Sequence, residues 1–173
     1  MHNYIEQKET ERLYIRPLTL DDLGDWEKFF HTPSSLLFFP PFLTGKPKKD
    51  ATSWIEKQLD RYKDGRFGLQ ALIEKSTGKF VGQCGLLTQE IDNAKVIEIG
   101  YSLLPEHEGK GYATEAAKHF KKYAFDNKLT NSLVSIIHVD NIASQQVATR
   151  NGMTNSKRTT FHEIDVFVFR LDR

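Results

Sequence analysis

Residues 133–139 read Leu-Val-Ser-Ile-Ile-His-Val, apolar at consecutive positions where a strand with one wet face would alternate. Such a strand needs cover on both faces. The residues around it supply candidate elements. Arg12-Leu13-Tyr14-Ile15-Arg16 alternates like a short strand that stops at Pro17. Thr19 or a following Asp reads as the cap of a helix carrying Trp26, Phe29 and Phe30 and running to about His31. Residues 49–63 repeat Trp54, Ile55, Leu59 and Tyr62 at helical steps, which predicts an amphipathic helix stopped by Gly65. Strands are predicted over 67–74, 80–88 and 95–104, the first two joined by a turn around Ser76, Thr77, Gly78 and Lys79. A helix then runs through Phe120, Tyr123, Ala124 and Phe125 to Asn127 and Lys128. Beyond the apolar strand, 144–150 forms a short helix stopped by Asn151 and Gly152, and 154–170 supplies a final hairpin. This order is that of a mixed α+β chain built on one sheet.

With 173 residues and 39% hydrophobic content, the chain suits a single domain, expected over 11–173 after a polar tail at 1–10. Its 24 Lys+Arg and 23 Asp+Glu leave a net charge of +1, so no global field draws it to nucleic acid or a membrane. No run approaches the roughly 20 apolar residues of a membrane span. The single Cys84 excludes an intramolecular disulfide and a cysteine-cluster metal site, which fits a reducing, cytoplasmic setting. Cys84 itself, beside Phe80, Val81, Leu86 and Leu87, reads as a small buried hydrophobe. His31, His107, His119, His138 and His162 show no metal-ligand spacing, and no metal is expected.

Residues 108–117, Glu-Gly-Lys-Gly-Tyr-Ala-Thr-Glu-Ala-Ala, set two glycines around a lysine and then turn to helix formers. A helix start exposes backbone N–H groups with a partial positive charge, and the small side chains of Gly109, Gly111 and Ala113 leave them open to a diphosphate. Lys110 adds a point charge. The pentapeptide alone equally fits a strand-to-helix turn that needs glycine for its φ angles. Neither the P-loop nor the dinucleotide-fingerprint spacing is completed.

Residues 97–105, Ile-Glu-Ile-Gly-Tyr-Ser-Leu-Leu-Pro, followed by Gly109-Lys110-Gly111-Tyr112-Ala113-Thr114-Glu115-Ala116, resemble the central strand and acyl-CoA loop of the GNAT N-acetyltransferases. A second match follows at Asn141-Ile142-Ala143-Ser144, Val147-Ala148 and Arg150-Asn151-Gly152-Met153, with Met153 where the family has Phe. Arg12-Leu13-Tyr14-Ile15-Arg16-Pro17-Leu18 is similar to the first strand of the RimJ/RimL-like branch, whose named members acetylate the N-terminal amine of ribosomal proteins. The resemblance spans about residues 11–171. It implies the GNAT fold: a single, mostly antiparallel central sheet with a splayed strand pair, flanked by helices. It further implies acetyl-CoA as co-substrate, its diphosphate on the N–H groups of Gly109, Lys110, Gly111, Tyr112, Ala113 and Thr114. The pantetheine arm would run along backbone groups of Ser102, Leu103 and Leu104, with Asn141 bonded to it. An amine acceptor, a peptide N-terminus or a small molecule, would attack the thioester directly. Monomer and homodimer are both compatible.

Glu98 is the candidate base, as the one ionisable side chain within an apolar strand; a solvated edge or an ion pair is the alternative. The tyrosine that serves the wider family as general acid falls at Ala148, so Ser144 is the candidate donor to the thiolate, unless it is a helix N-cap. Asn141 also fits a turn. Glu108 replaces the family's usual Gln or Arg and puts an anion beside the loop. Residues 32–44, which contribute Leu36, Leu37, Phe38, Phe39, Pro40, Pro41 and Phe42, read as an apolar lid over the acceptor or as core packing. His107 and His162 are candidates for the cleft, and Glu163 is a second carboxylate or a turn residue. Lys46, Lys48 and Lys49 suit a solvated helix start better than a contact with the CoA ribose phosphate. Three functions remain: an N-acetyltransferase, an acyl-CoA-binding regulatory module, and an unrelated phosphate-binding domain.

Overall fold

The sheet at the centre of the computed structural model, which describes residues 4–39 and 43–173, has eight strands in the order β1-β2-β3-β4-β5-β6-β8-β7. They are β1 (Lys8–Glu9), β2 (Leu13–Pro17), β3 (Leu69–Glu74), β4 (Phe80–Ile91), β5 (Ala94–Leu103), β6 (Ser132–His138), β7 (Thr154–Phe161) and β8 (Ile164–Asp172). The helices among the described residues are α1 (Leu23–His31), α2 (Pro33–Leu36), α3 (Pro47–Lys63), α4 (Tyr112–Asp126) and α5 (Ile142–Arg150). Neighbouring strands pair antiparallel except β5 and β6, which run parallel. None of these helices is long and apolar enough to cross a membrane.

Helix α4 presents Ala113, Ala116, Ala117, Phe120 and Ala124 to one face of the sheet, and the small alanines let it lie close to Leu86, Ile99 and Leu133. It ends in a Schellman motif: Lys128 takes φ 53, the Lys128 N–H donates to Phe125 O and the Leu129 N–H to Ala124 O. The other face carries α1 and α3, with Trp26, Phe29, Phe30, Ala51 and Ile55 packed on Ala71, Phe80 and Leu104. Full burial of each large side chain is worth about 1.5–3 kcal/mol. On strand β6, Leu133 and Ile137 pack toward α4, while on the other face Val134 is buried among side chains of other strands of the sheet, Ile91, Val166 and Val168.

Several boundaries differ from the sequence reading. Of the tail expected at 1–10, the described residues 4–10 are not simply polar and free. The Tyr4 side chain is 1% exposed, its hydroxyl donates to Gly68 O at 2.7 Å and accepts the Leu86 N–H at 2.6 Å, and Lys8–Glu9 pairs with β2. One buried aromatic with a satisfied hydroxyl outweighs the polarity of its neighbours. Helix α3 starts at Pro47, whose fixed φ suits a first helical position. Strand β4 extends to Ile91 because Asp92 (φ 49) and Asn93 (φ 62) make a two-residue hairpin turn. His162 (φ 48) and Glu163 (φ 64) do the same between β7 and β8, so Glu163 is a turn residue.

The segment before α3 divides between the two readings. Phe39 lies 5.2 Å from Phe29 and 4.7 Å from Trp54 by ring centroid, which is core packing, whereas Leu37 is 68% exposed. Pro40, Pro41 and Phe42 lie outside the described residues. Lys46, Lys48 and Lys49 are exposed at the start of α3.

Candidate functional site

Two features meet at one end of the sheet: the open wedge between β5 and β6, and the N-terminus of α4. The parallel pair is short, holding register only at Ile97↔Leu133 and Glu98↔Val134. Beyond it, groups that a continued ladder would join are taken by side chains. The Ser135 hydroxyl donates to Ile99 O at 2.9 Å, and the Ile136 N–H points at a Glu98 carboxylate oxygen 3.5 Å away. Those two side chains cap the ladder where it opens.

Because backbone direction alternates along a strand, the Ile99 carbonyl facing β6 places the backbone groups of Tyr101 and Leu103 on the same open side. Ser102 pairs toward β4, opposite Gln83. Leu104 is spent: its N–H donates to Val81 O and its carbonyl accepts the His107 N–H, each at 2.9 Å. Of the three backbone positions expected to be free, Leu103 alone faces the wedge, and Tyr101 joins it. The Tyr101 hydroxyl crosses to α5 and donates to Ser144 O at 2.7 Å.

The loop from Gly109 to Gly111 leads into α4 with Gly109 at φ 72 and Gly111 at φ 84, the left-handed region that glycine adopts without strain. The Glu108 N–H donates to Pro105 O and the Glu115 N–H to Gly111 O. Between them, the N–H groups of Gly109, Lys110, Gly111, Tyr112, Ala113 and Thr114 have no hydrogen-bond partner among the described residues. Six consecutive free donors at the positive end of a 15-residue helix suit an anion, and the glycine half of the run is exposed. The Thr114 hydroxyl and the His107 Nδ1 are buried with no hydrogen-bond partner among the described residues.

Glu98 is 8% exposed. Burial raises its carboxyl above the usual carboxylate range, against the Gln89 amide donating at 2.8 Å, the Ile136 N–H and the charge of Arg61. It is therefore neither a solvated edge residue nor half of a close ion pair. On the same face of the sheet, at the end of β6, the His138 ring lies 4.9 Å from Phe38 and its Nδ1 accepts the Asp140 N–H at 3.0 Å, which leaves the neutral-ring proton on Nε2.

Asn141, not Ser144, caps α5: its side chain accepts the Ser144 N–H at 3.1 Å, three residues on, which makes Ser144 an interior residue of the first turn. Ala148 is 1% exposed and belongs to the core cluster that α4 packs against. Cys84 is buried in the same cluster. His107 lies in a 3-10 turn just before the loop, and His162 sits at the β7–β8 turn. Among the described residues, no group of three or more His, Cys, Asp or Glu side chains is placed to hold a metal.

Sequence reasoning missed Tyr101, Ser135, Gln89, His138 and Arg12. Each looks like an ordinary strand residue, and each acquires its place only when distant segments meet.

Residues 12–154 match the acetyltransferase (GNAT) domain family. An uncharacterized protein, YkkB of Bacillus subtilis, is 34% identical over 149 residues, covering 86% of this chain and 85% of that one. Among solved structures, an acetyltransferase from Agrobacterium tumefaciens superimposes with a TM-score of 0.81 at 27% identity, over 98% of this chain and 95% of that one. RimJ from Mycobacterium smegmatis, in complex with CoA-disulfide, superimposes at 0.80 with 17% identity, over 98% and 88%.

Proposed function

Because this chain belongs to the GNAT acetyltransferase family, we propose that it moves the acetyl group of acetyl-CoA to a primary amine, a peptide N-terminus or a small molecule, by direct attack in a ternary complex. The observation that carries this reading is the run of six free N–H groups from Gly109 to Thr114, set beside a wedge in which Tyr101 and Leu103 keep strand donors and acceptors. Such a run suits a diphosphate, and the open strand edge suits the amides of the pantetheine arm. That RimJ, of like fold, holds a CoA-disulfide supports the same ligand class.

Glu98 has the position and the raised affinity for a proton that a base needs. It takes one proton from the acceptor ammonium, directly or through water. The neutral amine nitrogen then bonds to the thioester carbonyl carbon as the carbon–sulfur bond breaks. The second amine proton reaches the departing thiolate through the Ser144 hydroxyl or water, and Glu98 returns its proton to solvent. On this reading Phe38, whose ring lies 4.9 Å from that of His138, borders the acceptor side.

Calorimetric titration of acetyl-CoA, paired with release of free thiol over a panel of peptides and amines, tests this. Wild type should bind and Gly111→Glu should not, with an unchanged circular dichroism spectrum. Undiminished binding by that variant would sink the phosphate site. Binding without turnover on any acceptor would favour a regulatory module.

A further inference from the structure

Arg12 stands immediately before β2 and reaches the loop 98 positions later in the chain. Its Nη1 donates to the Lys110 carbonyl at 2.8 Å and its Nε to Glu115 Oε2 at 2.7 Å. Glu115 lies in the first turn of α4, and its other oxygen accepts the Arg12 N–H at 2.8 Å and the Thr10 hydroxyl at 2.5 Å. The guanidinium lies 4.7 Å from the Tyr112 ring centroid, and the Tyr112 hydroxyl donates to the Glu74 carboxylate. A Cβ at Gly111 would stand 3.3 Å from Arg12 Nη2. The N-terminal segment and β3 thus hold the loop from behind.

Stability does not account for this arrangement, since the Arg12 side chain is 44% exposed and ion pairs of that kind contribute little. Nor does added charge, because Glu115 neutralises the guanidinium. What the contact fixes is a peptide plane. In a trans peptide the carbonyl and the next N–H point in opposite directions, so holding Lys110 O toward Arg12 turns the Gly111 N–H away from it.

We propose that Arg12 is a positioning residue for the phosphate site: clamped by Glu115, it holds the Lys110 carbonyl and thereby aims the Gly111 N–H at the bound diphosphate. The proposal rests on the reading of the loop as the diphosphate site. The planar fork lets one side chain satisfy both partners at fixed geometry, which an ammonium does not reproduce.

The test measures the affinities of CoA and of pantetheine, which lacks the diphosphate, for wild type, Arg12→Ala, Arg12→Lys, Glu115→Gln and Gly111→Glu, together with acetyl-CoA KM and kcat. Arg12→Ala and Arg12→Lys should each weaken CoA about tenfold, the scale of one hydrogen bond to a charged group. KM should rise in parallel, while pantetheine affinity and kcat at saturation stay within about twofold. Glu115→Gln should also weaken CoA, whereas a purely electrostatic role predicts tighter binding once that anion is removed. Recovery of CoA affinity by Arg12→Lys, tighter binding by Glu115→Gln, or an equal loss for pantetheine would each overturn the proposal. If Gly111→Glu abolishes CoA binding while Arg12→Ala leaves it intact, the clamp alone is refuted; if Gly111→Glu binds normally, the underlying site is.

Discussion

The Ser135 hydroxyl donates to the Ile99 carbonyl at 2.9 Å, at the first step where β5 and β6 cease to pair. Ser135 is 2% exposed, so the bond is out of water. Ser135→Ala leaves a buried carbonyl without its donor and should cost about 1–3 kcal/mol in urea unfolding. A change of only a few tenths would mean that the wedge does not depend on this bond.

Glu98→Gln should lower kcat by at least about a hundredfold while leaving acetyl-CoA affinity unchanged, the expectation for loss of a general base. In wild type, kcat/KM should rise with pH along a limb displaced above the usual carboxylate range, because burial disfavours the charged form. The limb should vanish in the variant.

The same group makes a stability prediction with a definite sign. A carboxyl with a folded pKa above its unfolded value stabilises the fold most at low pH, and that contribution is lost as pH rises through the folded pKa. Denaturation of wild type across that window should show stability falling relative to Glu98→Gln. An opposite slope would contradict burial as the dominant influence.

Gly109→Ala and Gly111→Ala separate strain from contact. Both glycines have positive φ, which costs other residues about 1–2 kcal/mol. A Cβ at Gly109 meets nothing within 4 Å, while one at Gly111 crowds Arg12. Gly111→Ala should therefore raise the acetyl-CoA KM more than Gly109→Ala; equal effects would show that φ alone matters.

Tyr4→Phe should destabilise the protein by about 1–3 kcal/mol in chemical denaturation, since Gly68 O and the Leu86 N–H lose a shared buried partner. Asn141→Ala should cost about 0.5–2 kcal/mol as α5 loses its cap. Ser144→Ala, with no side-chain hydrogen bond among the described residues, should stay within about 0.5 kcal/mol, so any fall in kcat reports on proton delivery.

What the sequence determined by itself was periodic and local. The consecutive apolar residues of β6 required cover on both faces, Phe120, Tyr123, Ala124 and Phe125 marked the helix that is α4, and Gly109 and Gly111 marked a loop whose backbone stays accessible. The isolated carboxyl of Glu98 stood out within an apolar strand. These are properties of neighbours in the chain, which period and φ preference encode directly. Tertiary structure decided what no local period contains: where β5 parts from β6, which strand residues turn their backbone to the opening, and that Tyr4 is core rather than tail. It also brought Arg12 to Lys110, Ser135 to Ile99 and Tyr101 to Ser144. Each of those hydrogen bonds joins positions at least 36 apart, so it exists only once packing has fixed the register between distant segments.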